Sequence, residues 1–87
     1  MVPIAAELRA RAVAEDARQA ARVALHSRAK EDALRAGDLY RCAGALYSGA
    51  AKLWRDAGEL SFAAHCARMA ARLSSSPFAK ASIAATF

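Results

Sequence analysis

Two histidines and two cysteines are the residues of this chain that would first be considered for catalysis or metal binding. His65 and Cys66 are neighbours, whereas His26 and Cys42 stand apart in the sequence. Neighbouring side chains point about 100° apart on a helix, and a zinc site needs four converging ligands, usually with a closely spaced Cys or His pair. No segment resembling an oxyanion-hole loop accompanies a Cys–His pair. We therefore expect no catalytic residue, no metal site and no cofactor.

Acidic pairs occur at Glu15–Asp16 and Glu31–Asp32, again as neighbours. Because such side chains diverge on a helix, they cannot share a proton or flank one substrate bond, and local ion pairs are their expected role. The four glycines are dispersed and form no phosphate-binding loop. The sequence thus predicts a protein that is not an enzyme and has no small-molecule substrate.

Composition predicts one helical domain, residues 1–87, in which alanine is the commonest residue. Alanine favours helix but buries little area per residue, so we expect a thin core that depends on a partner. The net charge of +5 implies acidic partners such as RNA, anionic lipid or an acidic protein surface, or ordinary solubility alone. Without a secretory segment, a membrane-spanning run or a cysteine motif, we expect an intracellular, reducing compartment. The expected compartment is the cytoplasm or an organelle interior, and we do not expect a secreted protein.

The stretch at residues 38–57 is the predicted centre of the fold. Gly37 is expected to end the preceding helix, Asp38 to cap this one, and Gly58 to end it. One stripe recurs at spacings of four and three and is the predicted core face: Leu39, Ala43, Leu46, Ala50, Leu53 and Ala57. A second stripe runs beside it and includes three large rings that a thin core would leave partly open to a partner: Tyr40, Gly44, Tyr47, Ala51 and Trp54.

The predicted fold class is all-α, an antiparallel three-helix bundle with a long N-terminal helix and a short C-terminal helix or tail. The predicted elements are residues 3–36, 38–57, 59–74 and 77–87. A break near His26–Ser27 is the alternative to a continuous first helix. The charged ladder of this helix is either a solvated face or an arm that lies along a partner.

The third predicted helix also carries two stripes. The small stripe is expected to lie closest to the central helix: Leu60, Ala63, Ala67 and Ala70. The bulkier stripe is expected to face the first helix, the tail or a partner: Phe62, Cys66, Met69 and Leu73. In the tail, Phe78, Ile83 and Phe87 either cover the bundle or bind a partner.

Small and aromatic residues in the central and third helices also form a recognisable pattern, made up of Tyr40, Ala43–Gly44, Tyr47, Gly58–Glu59–Leu60, Ala63, Ala67 and Ala70. The pattern resembles a tetratricopeptide repeat over about residues 37–73. The usual aromatic is missing at Ala67, and about seven extra residues separate Tyr47 from Gly58, so the long-helix relatives of the soluble NSF attachment proteins look closer. Ala36-Gly37-Asp38 and Tyr47 also resemble the microtubule-interacting-and-trafficking domain. Either resemblance implies a helical protein-interaction module without catalysis.

From these features we expect a structural or protein-interaction subunit of a larger multiprotein assembly. The residues expected to bind other protein subunits are Tyr40, Tyr47, Trp54, Phe62, Met69, Phe78, Ile83 and Phe87. The alternative is a basic helical protein that contacts RNA within a ribonucleoprotein. Its expected phosphate contacts are Arg41, Lys52, Arg55, Arg68 and Arg72. An amphipathic adaptor at a membrane surface is a third option.

Overall fold

The computed structural model describes residues 3–86, which form four α-helices and contain no β-strand. The helices are α1 (Pro3–Ser27), α2 (Lys30–Asp56), α3 (Leu60–Ser74) and α4 (Pro77–Thr86). The prediction of an all-α protein is therefore confirmed. The starts of α3 and α4 lie within one residue of the predicted positions. Phe87 lies outside the described residues.

The predicted continuous helix over residues 3–36 is wrong, because the chain turns at Arg28 and Ala29. The alternative, a break near His26–Ser27, agrees with the end of α1 at Ser27. Arg28 has a left-handed φ of 57°, and the Ser27 hydroxyl accepts a hydrogen bond from the Ala29 amide at 3.2 Å. The same hydroxyl donates to Asp32 Oδ2 at 2.6 Å and so links the two helix ends. A turn without glycine or proline lacks the usual sequence signal, and the local hydrogen bonds of Ser27 compete with helix continuation.

Gly37 does not end a helix, and the predicted start of the central helix at Asp38 is also wrong. Gly37 lies inside α2, where α4 crosses its backbone. A Cβ atom at Gly37 would collide with the carbonyl oxygen of Phe78 and lie 2.6 Å from Ser82 Cβ. This glycine is therefore needed for close helix packing rather than for a left-handed turn.

Gly58 ends α2 as its position predicts. It has a φ of 82°, and its amide donates to the Arg55 carbonyl at 3.0 Å. The Glu59 amide donates to the Trp54 carbonyl at 2.9 Å, which completes a Schellman motif. The connection to α3 is short as a result, and α3 folds back against α2.

The helix α2 is the centre of the molecule, and the other three helices pack against it. The helix α1 lies antiparallel along one side, since Glu7 near its start bonds to Trp54 near the end of α2. The helices α3 and α4 follow one another along a second side. The helix α3 runs along α2 from Trp54 back to Gly44, and α4 continues over Gly37.

Small side chains form most of the core. Five buried alanines at spacings of four and three fix α1 against α2: Ala10, Ala14, Ala17, Ala21 and Ala24. Such side chains let helix axes approach to the short end of the usual range, about 8 Å. The largest side chain with less than 2% exposure among the described residues is Cys66. The weak pattern of large apolar residues in α1 is thus no obstacle to its packing on the rest of the chain.

The second stripe of α2 is buried more deeply than the predicted core stripe. Its Gly44, Tyr47 and Ala51 are buried, because this stripe faces the space between α1 and α3. The first stripe buries Ala43 and Ala50 but leaves its leucines half-buried, and Ala57 is exposed. In α3 the core face combines both predicted stripes and consists of Ala63, Cys66, Ala70 and Leu73.

Candidate functional site

One polar cluster joins three helices at the end of the molecule where α1 begins. Glu7 Oε1 accepts a hydrogen bond from Trp54 Nε1 at 3.1 Å and another from the Cys66 thiol at 3.2 Å. Its second oxygen lies 3.4 Å from Arg11 Nη2. The Glu7 side chain is 18% exposed, so its charge is largely shielded from water and held by three donors. The cluster fixes the orientation of the Trp54 ring.

The surroundings of the Cys66 thiol in this cluster disfavour its thiolate form. Burial, together with the hydrogen bond to Glu7 and the charge of Glu7, raises the pKa of Cys66 to about 11. A nucleophilic or metal-binding cysteine needs a thiolate, which positive neighbours stabilise and burial disfavours. Cys66 is therefore a core residue and a hydrogen-bond donor at neutral pH, as its place between Phe62 and Met69 in the stripe suggests.

Large apolar side chains that are partly exposed to solvent lie near the starts of α1 and α3 and the end of α2, the helix ends that meet at this cluster. The rings of Trp54 and Phe62 are in contact, with centroids 4.8 Å apart and an angle of 34° between planes. Phe62 remains 50% exposed, and three aliphatic side chains at the same end are exposed further: Ile4 by 56%, Leu8 by 53% and Leu60 by 67%. We call these five residues the apolar end. Trp54 itself is half-buried.

The other residues predicted to bind partners are in different positions. Tyr47 is 4% exposed and belongs to the core, so it offers no surface to a partner. Tyr40 is half-buried and stacks on Phe78, with ring centroids 6.2 Å apart. Met69 packs half-buried against the core, and Ile83 on α4 is 39% exposed. Only Trp54 and Phe62 of the predicted set belong to the apolar end.

The five predicted phosphate-contacting residues differ in their contacts. Arg41 donates to Ser82 Oγ at 3.4 Å and lies 3.9 Å from Asp38, which itself accepts a hydrogen bond from Ser82. This network holds α4 on α2. Within residues 3–86 the remaining four are exposed and form no ion pair: Lys52, Arg55, Arg68 and Arg72. Arg55 and Ser48 line a shallow groove of about 370 Å³ between α2 and α3.

The candidate metal ligands stay apart. Across the described ranges, no three His, Cys, Asp or Glu side chains gather where an ion would bind. His26 Nδ1 lies 2.8 Å from the Arg22 carbonyl, and His65 and Cys42 are exposed. Among the helices of residues 3–86, none is long and apolar enough to cross a bilayer.

The sequence-based prediction does not include Glu7, Ile4, Leu8 or Leu60 as site residues. Glu7 has a detectable signal, because it continues the spacing of the buried alanines of α1, three residues before Ala10. The exposure of the aliphatic side chains has no signal in the sequence, since it depends on which helix covers which face.

The chain matches no family model, and searches of curated proteins and of solved structures also give no match.

Proposed function

We propose that this protein is a non-enzymatic structural or protein-interaction subunit of a larger multiprotein assembly. The observation that carries this proposal is the distribution of apolar side chains. Alanines fill the interior, whereas Ile4, Leu8, Leu60 and Phe62 are exposed by half or more at one end. Burying a large apolar side chain completely contributes about 1.5–3 kcal/mol, so each of these still has about 1 kcal/mol to gain from a partner.

The geometry of the apolar end supports binding of a specific partner. The Glu7 hydrogen bond holds the Trp54 indole, and the Trp54 ring in turn supports Phe62. Aromatic side chains that are rigid before binding lose little conformational entropy on association.

The tetratricopeptide-like interpretation of residues 37–73 is part of the same proposal. Gly44, Tyr47, Ala63 and Ala70 of that pattern are buried, as residues at a hairpin interface would be. Ala67 is exposed. A single repeat needs neighbours to stack upon, which agrees with a subunit that completes its packing on other proteins.

The test is the size of the native assembly at modest salt, measured by size-exclusion chromatography with light scattering. We expect the wild-type protein to elute with companions, and Phe62→Ser to elute as a folded monomer. Ala64→Ser is the matched control, because Ala64 is exposed on α3 outside the apolar end. A wild-type protein that runs as a stable, well-folded monomer without companions would refute the proposal.

A basic protein that contacts RNA is the second candidate, favoured by the four exposed basic residues without ion pairs, Lys52, Arg55, Arg68 and Arg72. Salt distinguishes the two candidates. Neutralisation of phosphates makes the affinity fall steeply with salt, by about 0.7 log units per decade for each contact to a single strand. Burial of apolar side chains gives a nearly flat response. Arg68→Gln with Arg72→Gln should reduce the slope only if RNA is the partner.

A further inference from the structure

A second surface lies between α1 and α2 near their connection. It is an open groove of about 930 Å³ that extends over residues 16–23 of α1 and 31–39 of α2. Its apolar lining includes Val23, Leu34 and Leu39. Val23 is 56% exposed, and both leucines are half-buried. None of the apolar-end residues lines this groove.

The charged lining of the groove is mostly acidic, although the whole chain carries a charge of +5. It consists of the guanidinium of Arg35 and four carboxylates: Asp16, Glu31, Asp32 and Asp38. Asp32 and Asp38 are already hydrogen-bonded to serines, and Asp38 also lies 3.9 Å from Arg41. Asp16 on α1 and Glu31 on α2 form no hydrogen bond or ion pair among the described residues, and both are exposed.

We propose that this groove docks a basic amphipathic helix of a partner protein, with apolar side chains on Val23, Leu34 and Leu39 and with Lys or Arg beside Asp16 and Glu31. The two helices line the groove over eight or nine residues each, about 12 Å or two helical turns. A groove lined by apolar and acidic side chains suits an amphipathic helix, whose apolar and basic side chains both find partners there. The negative charge of the lining selects a cationic segment and repels phosphate, so the groove is not the surface for RNA. This inference is independent of the apolar end and adds a second binding surface.

The probe is a fluorescein-labelled synthetic helix of fourteen residues with Leu at positions i, i+3, i+4 and i+7, flanked by Lys. Its affinity for the full chain is measured by fluorescence anisotropy at low salt. A second peptide with Glu in place of Lys should bind at least tenfold more weakly. The double variant Asp16→Asn/Glu31→Gln should weaken binding of the Lys peptide about fivefold to tenfold, since an exposed ion pair contributes about 0.2–1 kcal/mol.

Two matched controls separate the groove from general charge and hydrophobicity. Asp56→Asn/Glu59→Gln changes the net charge by the same amount at exposed positions outside the groove, and should leave the affinity within twofold. Val23→Ser should weaken binding severalfold, whereas Leu25→Ser, at a residue 70% exposed outside the groove, should not.

Equal effects of the two charge variants, or equal binding of the Lys and Glu peptides, would overturn the proposal. Analytical ultracentrifugation of the chain alone tests whether a second copy of the chain occupies the groove. If the wild-type protein self-associates at low salt and Asp16→Asn/Glu31→Gln abolishes it, the occupant of the groove is a second copy and the proposed partner is wrong. Phe62→Ser should leave peptide binding unchanged, which keeps this test separate from that of the apolar end.

Discussion

Replacing Gly37 by Ala tests how closely α4 crosses α2. The new Cβ would collide with the carbonyl oxygen of Phe78 and lie 2.6 Å from Ser82 Cβ. The oxygen belongs to a helix backbone and cannot rotate away, so α4 must move. Gly49 in the same helix is the matched control, because a Cβ there meets nothing within 4 Å.

The comparison isolates the steric cost. Gly to Ala inside a helix gains about 0.5–1 kcal/mol through backbone entropy, and this gain is shared by both variants. Overpacking costs about 1–3 kcal/mol, and rigid backbone contacts lie at the upper end. We therefore expect Gly49→Ala to be more stable than wild type by about 0.5–1 kcal/mol. Gly37→Ala should be about 2–3 kcal/mol less stable than Gly49→Ala.

Urea denaturation followed by circular dichroism gives both free energies of unfolding. Hydrogen exchange measured by mass spectrometry shows which helix is destabilised. The amides of residues 78–86 should lose protection in Gly37→Ala and keep it in Gly49→Ala. Gly44→Ala is an intermediate case, because its Cβ would meet the rotatable Ser74 hydroxyl at 2.8 Å. If Gly37→Ala is as stable as Gly49→Ala and keeps its protection, the close crossing of α4 is refuted.

Three further predictions concern the connection, the buried thiol and the alanine interface. Arg28→Gly should stabilise the protein by about 0.5–1 kcal/mol in thermal unfolding, because glycine adopts the left-handed φ without the penalty of a side chain; an unchanged or lower stability would contradict that geometry. The raised pKa of Cys66 means that the unfolded thiol ionises first, so this contribution to stability is complete below a pH of about 9 and falls by up to about 3 kcal/mol as the pH rises through 11. Cys66→Ala should lack this part of the pH dependence. If the free energy of unfolding from urea denaturation changes with pH in the same way in both proteins, the raised pKa of Cys66 is wrong. Ala14→Leu should cost at least about 1–3 kcal/mol by overpacking the α1–α2 interface, whereas Ala12→Leu, at an exposed position, should stay within about 0.5 kcal/mol of wild type.

The helical class and the ends of α3 could be predicted because their signals are local. Gly58 at the end of α2 and Ser76 before Pro77 act through backbone geometry and capping over a few residues. Ser76 Oγ indeed accepts a hydrogen bond from the Phe78 amide at 3.2 Å. The turn at Arg28 has no glycine or proline to mark it, so the sequence offers a break near His26–Ser27 only as an alternative to a continuous helix.

The spacing of apolar residues in the sequence could not predict which face of α2 is buried most deeply or which residues make up the apolar end. Periodicity identifies an apolar arc but not which side of it faces two neighbouring helices. Large side chains suggest a core face, yet the leucine stripe of α2 is half-buried and the glycine-containing stripe beside it is covered. The alanine stripe of α1 is visible in the sequence once small residues are given the same importance as large ones.

Large apolar side chains on the outside of an alanine interior have a calorimetric consequence. The heat capacity of unfolding depends on the apolar surface that becomes newly hydrated, at about 0.45 cal/K/mol per Å². Phe62, Leu60, Leu8 and Ile4 are already hydrated by half or more in the folded protein. Unfolding should therefore show a smaller heat-capacity change per residue than the average domain and a flatter stability curve. The proposed binding of a partner to the apolar end would bury the same surface, and its heat-capacity change should then be negative.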